Sequence, residues 1–273
     1  MRAWFNGTVL EDPAQAVIRV DDHGLTVGDG VFEALKIVDG VPFALTRHLD
    51  RLTVSAAGLG LAEPDLDDVR RAVAAVLDGF TPALGRLRIT YTAGPAPLGS
   101  GRGSGPTSLI VVADVMGPAE ETTAIVRVPW VRNERGALAG LKTTSYAENA
   151  LALARAKENG ASEAIFANTV GQLCEGTGSN IGYVIGGEAR TPSLASGCLA
   201  GVTRALLLAW CDVVEVDEPI EILDEAEEVF LVSTTRDVQP VHRLDDRLLE
   251  APGPVTLKLQ ETWAARAAES MDP

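Results

Sequence analysis

Apolar and polar positions alternate along this chain with two periods, and the changes from one to the other outline its elements. Residues 2–5 alternate as a short strand, and Asn6-Gly7 is a two-residue hairpin signal. A β-rich run from Val31 to Val38 turns at Asp39-Gly40 and returns through Val41-Pro42-Phe43. From Leu45 to Leu59 the period becomes that of a helix, with Leu45, His48, Leu49, Leu52 and Ala56 on one face. Asp65 to Leu77 repeats the pattern through Leu66, Val69, Val73 and Val76. Arg86 to Thr92 and Ser108 to Val115 read as strands around a Gly- and Pro-rich loop, Gly94 to Gly105. Antiparallel strands with two helices make an α+β layer.

Gly117-Pro118 with Glu120-Glu121 reads as a linker, residues 117–122, between a smaller α+β domain over 1–116 and a larger one over 123–273 that carries Lys142. Past it, Thr123 to Val128 is strand-like. Ser145-x-x-Glu148 has the form of a capping box and Gly160 that of a C′ residue, which predicts a helix from about Tyr146 to Asn159. Glu163–Ala167, Leu173-Cys174, Ile181–Ile185 and Ala189-Arg190 read as short strands joined by Gly-containing turns. Gly201–Cys211 is helical, Phe230–Ser233 and Val238–Val241 are strands, and Val255–Ala268 is a terminal helix.

Three polar features interrupt the apolar pattern between Lys142 and Arg204. Lys142 stands alone just before a helix, among Leu138, Ala139 and Leu141. Glu175 follows the strand-like Leu173-Cys174 and precedes the small, polar run Gly176-Thr177-Gly178-Ser179-Asn180. Gly201, Val202 and Thr203 open an apolar helix, where unsatisfied backbone N–H groups and the helix dipole favour an anion. An amine, a carboxylate and an anion-ready helix start are the contacts a pyridoxal phosphate site needs, for the aldehyde, the ring nitrogen and the phosphate. A desolvated amine is also more nucleophilic and able to carry a proton.

The same residues carry a family resemblance. Lys142 with Tyr146, Glu175 with Ser179-Asn180, Thr191-Pro192 with Leu194, and Gly197-Cys198-Leu199-Ala200-Gly201-Val202-Thr203-Arg204 fit the pattern K-x(3)-Y…E-x(3)-S-N…T-P-x-L…G-x-L-x-G-x-T-R. Gly28-Asp29-Gly30-Val31-Phe32-Glu33 and His48-Leu49-Asp50-Arg51-Leu52 agree with it. The chain thus resembles the class IV aminotransferases: D-amino-acid and branched-chain aminotransferases, (R)-amine transaminases and 4-amino-4-deoxychorismate lyases. The resemblance implies a two-domain fold with a barrel-like C-terminal domain, a cofactor cleft between the domains, and a homodimer. It implies pyridoxal 5′-phosphate held by Lys142, Glu175, Arg51, Tyr146, Asn180, Leu199, Val202, Thr203 and Thr234, with Lys142 and Glu175 catalytic. Phe32, Arg102 and Thr235 are its candidates for substrate. The loop Ala93–Gly103 lacks the histidine of the Arg-x-His carboxylate trap found in D-amino-acid enzymes, so Arg102 is its lone cation and the candidate for a substrate carboxylate. The activity implied is transfer of an amino group between a D-amino acid or (R)-amine and a 2-oxo acid. The aminodeoxychorismate lyase and the branched-chain L-amino-acid aminotransferase are the alternatives.

Composition narrows the partners. With 23 Lys plus Arg against 38 Asp plus Glu, a net charge of −15, nucleic acid and anionic membranes are disfavoured. No apolar run approaches the roughly 18 residues of a membrane span, and the start MRAWFNGTVLEDP lacks the apolar core of a signal peptide, so a cytoplasmic protein is expected. Three cysteines without a CxxC argue against a disulfide framework, and His23, His48 and His242 have no metal-ligand spacing.

Overall fold

The computed structural model describes residues 1–15 and 17–273, which form two compact units. The first comprises Met1–Pro118, Leu141–Tyr146 and Met271–Pro273; the second comprises Ala119–Gly140 and Ala147–Ser270. The assignment of Lys142 to the larger C-terminal domain is therefore corrected. Its segment lies along the first unit: Phe32 N–H donates to the Lys142 carbonyl (3.0 Å), and Thr144 N–H donates to Gly30 O (2.8 Å).

In the first unit, β1 (Arg2–Phe5), β2 (Thr8–Val9), β3 (Gly30–Val38), β4 (Val41–Pro42), β5 (Leu84–Thr92) and β6 (Ser108–Val115) form a sheet in the order β2-β1-β6-β5-β3-β4. Every pairing in it is antiparallel. Its hairpins turn on Asn6 (φ 40) with Gly7 (φ 99) and on Asp39 (φ 47) with Gly40 (φ 80), the two positive dihedrals a type I′ turn requires. The helices are α1 (His23–Thr26), α2 (Leu45–Leu59) and α3 (Leu66–Leu77); α1 is too short to have shown a period. Alternate residues of the strands, such as Val31, Leu35, Ile37, Leu87, Ile89 and Val111, pack in one core with Leu49, Leu52 and Ala56 of α2 and Val69, Val73 and Val76 of α3. Each buried aliphatic side chain of this size contributes about 1.5–3 kcal/mol. Ionisable residues enter these buried rows as well, among them Glu33 on β3 and His48 on α2.

In the second unit, β7 (Thr123–Arg132), β8 (Glu163–Asn168), β9 (Leu173–Gly176), β10 (Asn180–Ile185), β11 (Glu188–Pro192), β12 (Val213–Val216), β13 (Glu228–Ser233), β14 (Asp237–Leu244) and β15 (Arg247–Leu248) form a mixed sheet. Its order is β12-β11-β10-β13-β14-β7-β8-β9, with β15 paired to β14. Around it run α4 (Ala147–Glu158), α5 (Val202–Trp210) and α6 (Pro254–Ala267). One core gathers Ile125, Ile165, Tyr183 and Leu231, and another packs Ala152 and Ala156 with Val126 and Phe166. The expected capping box does not form. Ser145 Oγ donates to the Gly28 carbonyl (3.1 Å) because its segment runs extended beside β3, and α4 starts at Ala147.

Candidate active site

Lys142 reaches its place through its backbone. Its N–H donates to Ser55 Oγ on α2 (3.2 Å) and its carbonyl accepts from Phe32, which brings the side chain over the Phe32 ring, Nζ 4.4 Å from the centroid. Tyr146 meets the same ring edge-on, with centroids 5.3 Å apart. A period-two strand thus presents Phe32 on the face opposite the core, and the segment paired to it sets an amine and a phenol on that ring.

Arg51 lies one turn after His48 on α2, and both face Glu33. Arg51 Nε donates to Glu33 Oε1 (2.8 Å) and its Nη2 to Oε2 (2.6 Å), while His48 Nδ1 is 2.6 Å from Oε2. Glu33 is fully buried. Burial pushes its carboxyl up, but the Arg51 guanidinium and then the His48 ring outweigh that and hold it at about 2. For His48, burial outweighs the pull of Glu33 and lowers the ring below its ordinary value. A neutral imidazole with its Nδ1–H toward Glu33 satisfies both groups. Arg51, the candidate phosphate ligand, is thereby aligned by a carboxylate that the sequence reading did not assign to the site.

The structure does not support the substrate role for Arg102. Its Nε and Nη2 donate to Asp29 (both 2.6 Å), and Nη1 and Nη2 donate to the carbonyls of Gly60 and Leu59 (both 2.7 Å). It ties the loop to Asp29 and to the C-terminal carbonyls of α2, where a cation is favourable, and these bonds hold the Asp29 carboxyl below its ordinary value. A different arginine contacts the same ring as Lys142. Arg88 on β5 lies over the Phe32 ring, 3.9 Å from its centroid, with Nε donating to Thr90 Oγ1 (3.1 Å). Its sequence signal was the alternation Leu87-Arg88-Ile89-Thr90-Tyr91, which sends Arg88 to the face of Phe32.

In the second unit Glu175 sits on β9. Its Oε2 accepts from Leu199 N–H (2.9 Å), and its Oε1 lies 3.2 Å from Arg132 Nε. That N–H is not aligned for a hydrogen bond, so the contact is one of charges. Asn180 Nδ2 donates to Leu199 O (2.9 Å), which fixes the segment from both sides. The turn after Glu175 folds over buried Glu163, which accepts from Thr177 N (2.9 Å), Gly178 N (3.2 Å) and Ser179 Oγ (3.0 Å). Burial pushes the Glu163 carboxyl up, against the opposing charge of Arg236.

Val202 and Thr203 form the first turn of α5, and Gly201 precedes it without a side-chain cap. A Cβ on Gly201 would lie 2.1 Å from Asn180 Oδ1, so any side chain here would require Asn180 to shift. Arg204 holds the helix from inside, donating to Pro192 O (2.8 Å) and pairing with Glu215. Thr234 and Thr235 follow β13 in the turn to β14 and are half-buried.

Each unit carries groups of the kinds that pyridoxal phosphate binds: in the first, an amine suited to the aldehyde and an arginine suited to a phosphate; in the second, an oriented carboxylate suited to a ring nitrogen and an uncapped helix start suited to a phosphate. An α+β fold bearing that set is one on which aminotransferases are built. The family model described as Amino-transferase class IV matches residues 30–244. A bifunctional aminodeoxychorismate lyase/D-amino acid transaminase of Mycobacterium tuberculosis is 30% identical, covering 89% of this chain and 91% of its own. A branched-chain aminotransferase of Thermoproteus uzoniensis, solved with norvaline, superposes with a TM-score of 0.91 at 27% identity, covering 98% and 95%. A hypothetical aminotransferase of M. tuberculosis in its alpha-ketoglutarate- and PMP-bound form superposes at 0.87 with 28% identity, covering 98% and 99%. The chain belongs to the class IV aminotransferases, enzymes that use pyridoxal 5′-phosphate.

Proposed function

We propose that this aminotransferase moves an amino group between a D-amino acid or (R)-amine and a 2-oxo acid, with Arg88 as the anchor for a substrate carboxylate. The observation that carries this is the shared ring: Lys142 Nζ and the Arg88 guanidinium both lie over Phe32, 4.4 and 3.9 Å from its centroid. A cation able to bind a carboxylate that touches the same ring as the amine is the residue we assign to the substrate carboxylate. The D-amino acid transaminase activity in the name of the M. tuberculosis relative supports the donor class, and the alpha-ketoglutarate in the second M. tuberculosis structure supports a 2-oxo acid acceptor.

When bound, the cofactor supplies an electron sink for the bond broken at the substrate carbon. The chain's own residues do the rest. Lys142 holds the cofactor aldehyde and, once displaced, removes the proton from the substrate Cα. Glu175 holds a proton at the ring nitrogen. Arg51, with Val202, Thr203 and Thr234, takes the phosphate. Phe32 and Thr235 border the substrate, and Tyr146 orients the lysine side of the ring. A branched-chain L-amino-acid reading is favoured by the superposition on the norvaline-bound enzyme and by a putative branched-chain-amino-acid aminotransferase of Methanocaldococcus jannaschii, 32% identical over 96% of this chain and 95% of its own.

The test is a panel of amino donors with 2-oxoglutarate as acceptor, following the new amino acid by chromatography. D-alanine and (R)-1-phenylethylamine are expected to react faster than L-leucine or L-norvaline. Faster turnover of the L-amino acids overturns the reading in favour of a branched-chain enzyme, and rapid pyruvate release from aminodeoxychorismate overturns it in favour of a lyase.

A further inference from the structure

Arg132 has no part in the roles proposed above, yet its position next to Glu175 is held from three directions. Its Nη1 donates to Glu148 (2.8 Å) and to Asn149 (2.6 Å), and its guanidinium lies over Phe166, 4.1 Å from the ring centroid. Asn149 in turn donates to the carbonyl of Thr177 in the turn that follows Glu175 (2.6 Å). Side chains this tightly held keep a charge at a set distance from its partner. Here the distance is 3.2 Å, from Arg132 Nε to Glu175 Oε1. The side chains of Arg132 and Glu175 are each 15% exposed, whereas that of Glu148 is 51% exposed. Water screens the Glu148 contact more, so the charge of Arg132 acts chiefly on Glu175.

A proton between a ring nitrogen and a carboxylate has two resting places. On the nitrogen it leaves a carboxylate anion beside Arg132; on the oxygen it leaves a neutral acid there. A cation in contact with the carboxylate stabilises the first state and gains little from the second, and in a partly buried site that preference exceeds thermal energy several-fold. The Leu199 N–H on the other oxygen acts in the same sense, because it too bonds more strongly to an anion. We propose that Arg132 is a positioning residue for Glu175, whose charge keeps the shared proton on the cofactor ring nitrogen and off the carboxylate. This rests on the reading that Glu175 meets that nitrogen.

The experiment separates the two claims. The enzyme is loaded with pyridoxal phosphate labelled with ¹⁵N in the ring, and the ring-nitrogen chemical shift is read by NMR at neutral pH, with thermal melts confirming that each variant is folded. The wild type is expected in the protonated-pyridinium range. Arg132→Gln is expected to move the signal toward neutral pyridine, and Arg132→Lys, which keeps the charge without the planar fork, to leave it protonated. An unchanged signal in folded Arg132→Gln overturns the proposal. A neutral signal in Arg132→Lys also overturns it, because a structural role would then suffice, and that arm stands even if Arg132→Gln does not fold. Glu175→Gln tests the underlying reading independently. A signal that stays protonated there removes Glu175 from the ring nitrogen, whereas a neutral signal there with no response to Arg132→Gln removes only Arg132.

Discussion

At the level of single residues, two arginines stand as candidates for the substrate carboxylate, Arg102 from the sequence and Arg88 from the structure. Arg102 was read as a loop cation free to reach a carboxylate, but Asp29 and two helix carbonyls hold it. Arg88, on the outward side of an alternating strand, contacts the Phe32 ring that Lys142 also contacts. Arg88→Ala is expected to raise the KM for 2-oxoglutarate about tenfold to a hundredfold, the loss of a charged hydrogen bond of about 1.5–3 kcal/mol. Arg102→Ala is expected to leave that KM within about twofold while lowering the melting temperature, since it removes a half-exposed ion pair and a helix cap. Steady-state kinetics on both variants decide between them, and a larger KM change in Arg102→Ala would restore the loop arginine to the substrate.

Glu33 makes a second prediction at this scale, through pH. Its carboxyl is held at about 2 in the fold, against an ordinary value of 4.5 in the unfolded chain. The contribution is fully present above pH 4.5 and is lost as pH falls toward about 2, because the unfolded chain takes up the proton first. The difference is on the order of 3 kcal/mol. Melting curves of the wild type between about pH 6 and pH 3 should therefore fall more steeply than those of Glu33→Gln, which is destabilised throughout because Arg51 loses its buried partner. Parallel curves would show that Glu33 is not linked to folding.

Elements were legible in the sequence wherever one period ran long enough. The Leu45–Leu59 helix has the expected bounds, and the hairpin turns at Asn6-Gly7 and Asp39-Gly40 carry the dihedrals their residues favour. The four-residue helix at His23 and the strand Val213–Val216 were missed because short elements depend on their neighbours rather than on a period. Ser145 was misread as a cap because its sequence spacing was right and its tertiary partner, Gly28, lies 117 residues away. Glu33 and His48 had a visible signal that was not used: an acid in the buried row Val31-x-Glu33-x-Leu35 and a histidine on the apolar face of a helix. The start of α5 supports a prediction at this scale. Gly201 is the N-cap of α5 at φ −64, a dihedral alanine also adopts, so Gly201→Ala should keep the helix, but the Cβ would displace Asn180 and through it the Leu199 segment. Cofactor dissociation, followed by fluorescence titration of the apoenzyme, is expected to rise at least about tenfold, the effect of about 1.4 kcal/mol. An unchanged dissociation constant would mean that the helix start tolerates the shift and does not set phosphate binding.

On the scale of the whole molecule, the family was legible because its chemistry sits at a few positions whose spacing survives divergence: a lysine before a helix, an acid before a Gly/Ser turn, and a glycine at a helix start. What spacing does not carry is which partner a side chain chooses, and that is why the partners of Arg102, Arg88 and Arg132 emerged only from the three-dimensional arrangement. In the proposed reading, substrate choice rests on those contacts and cofactor attachment on the lysine. Four lysines are present, Lys36, Lys142, Lys157 and Lys258, so the central claim reduces to which of them carries pyridoxal phosphate. Borohydride reduction of the holoenzyme followed by peptide mapping reads this directly. The account predicts a stable pyridoxyl label on Lys142, lost in Lys142→Ala together with turnover while the protein stays folded. A label on Lys36, Lys157 or Lys258 with Lys142 unmodified would contradict it.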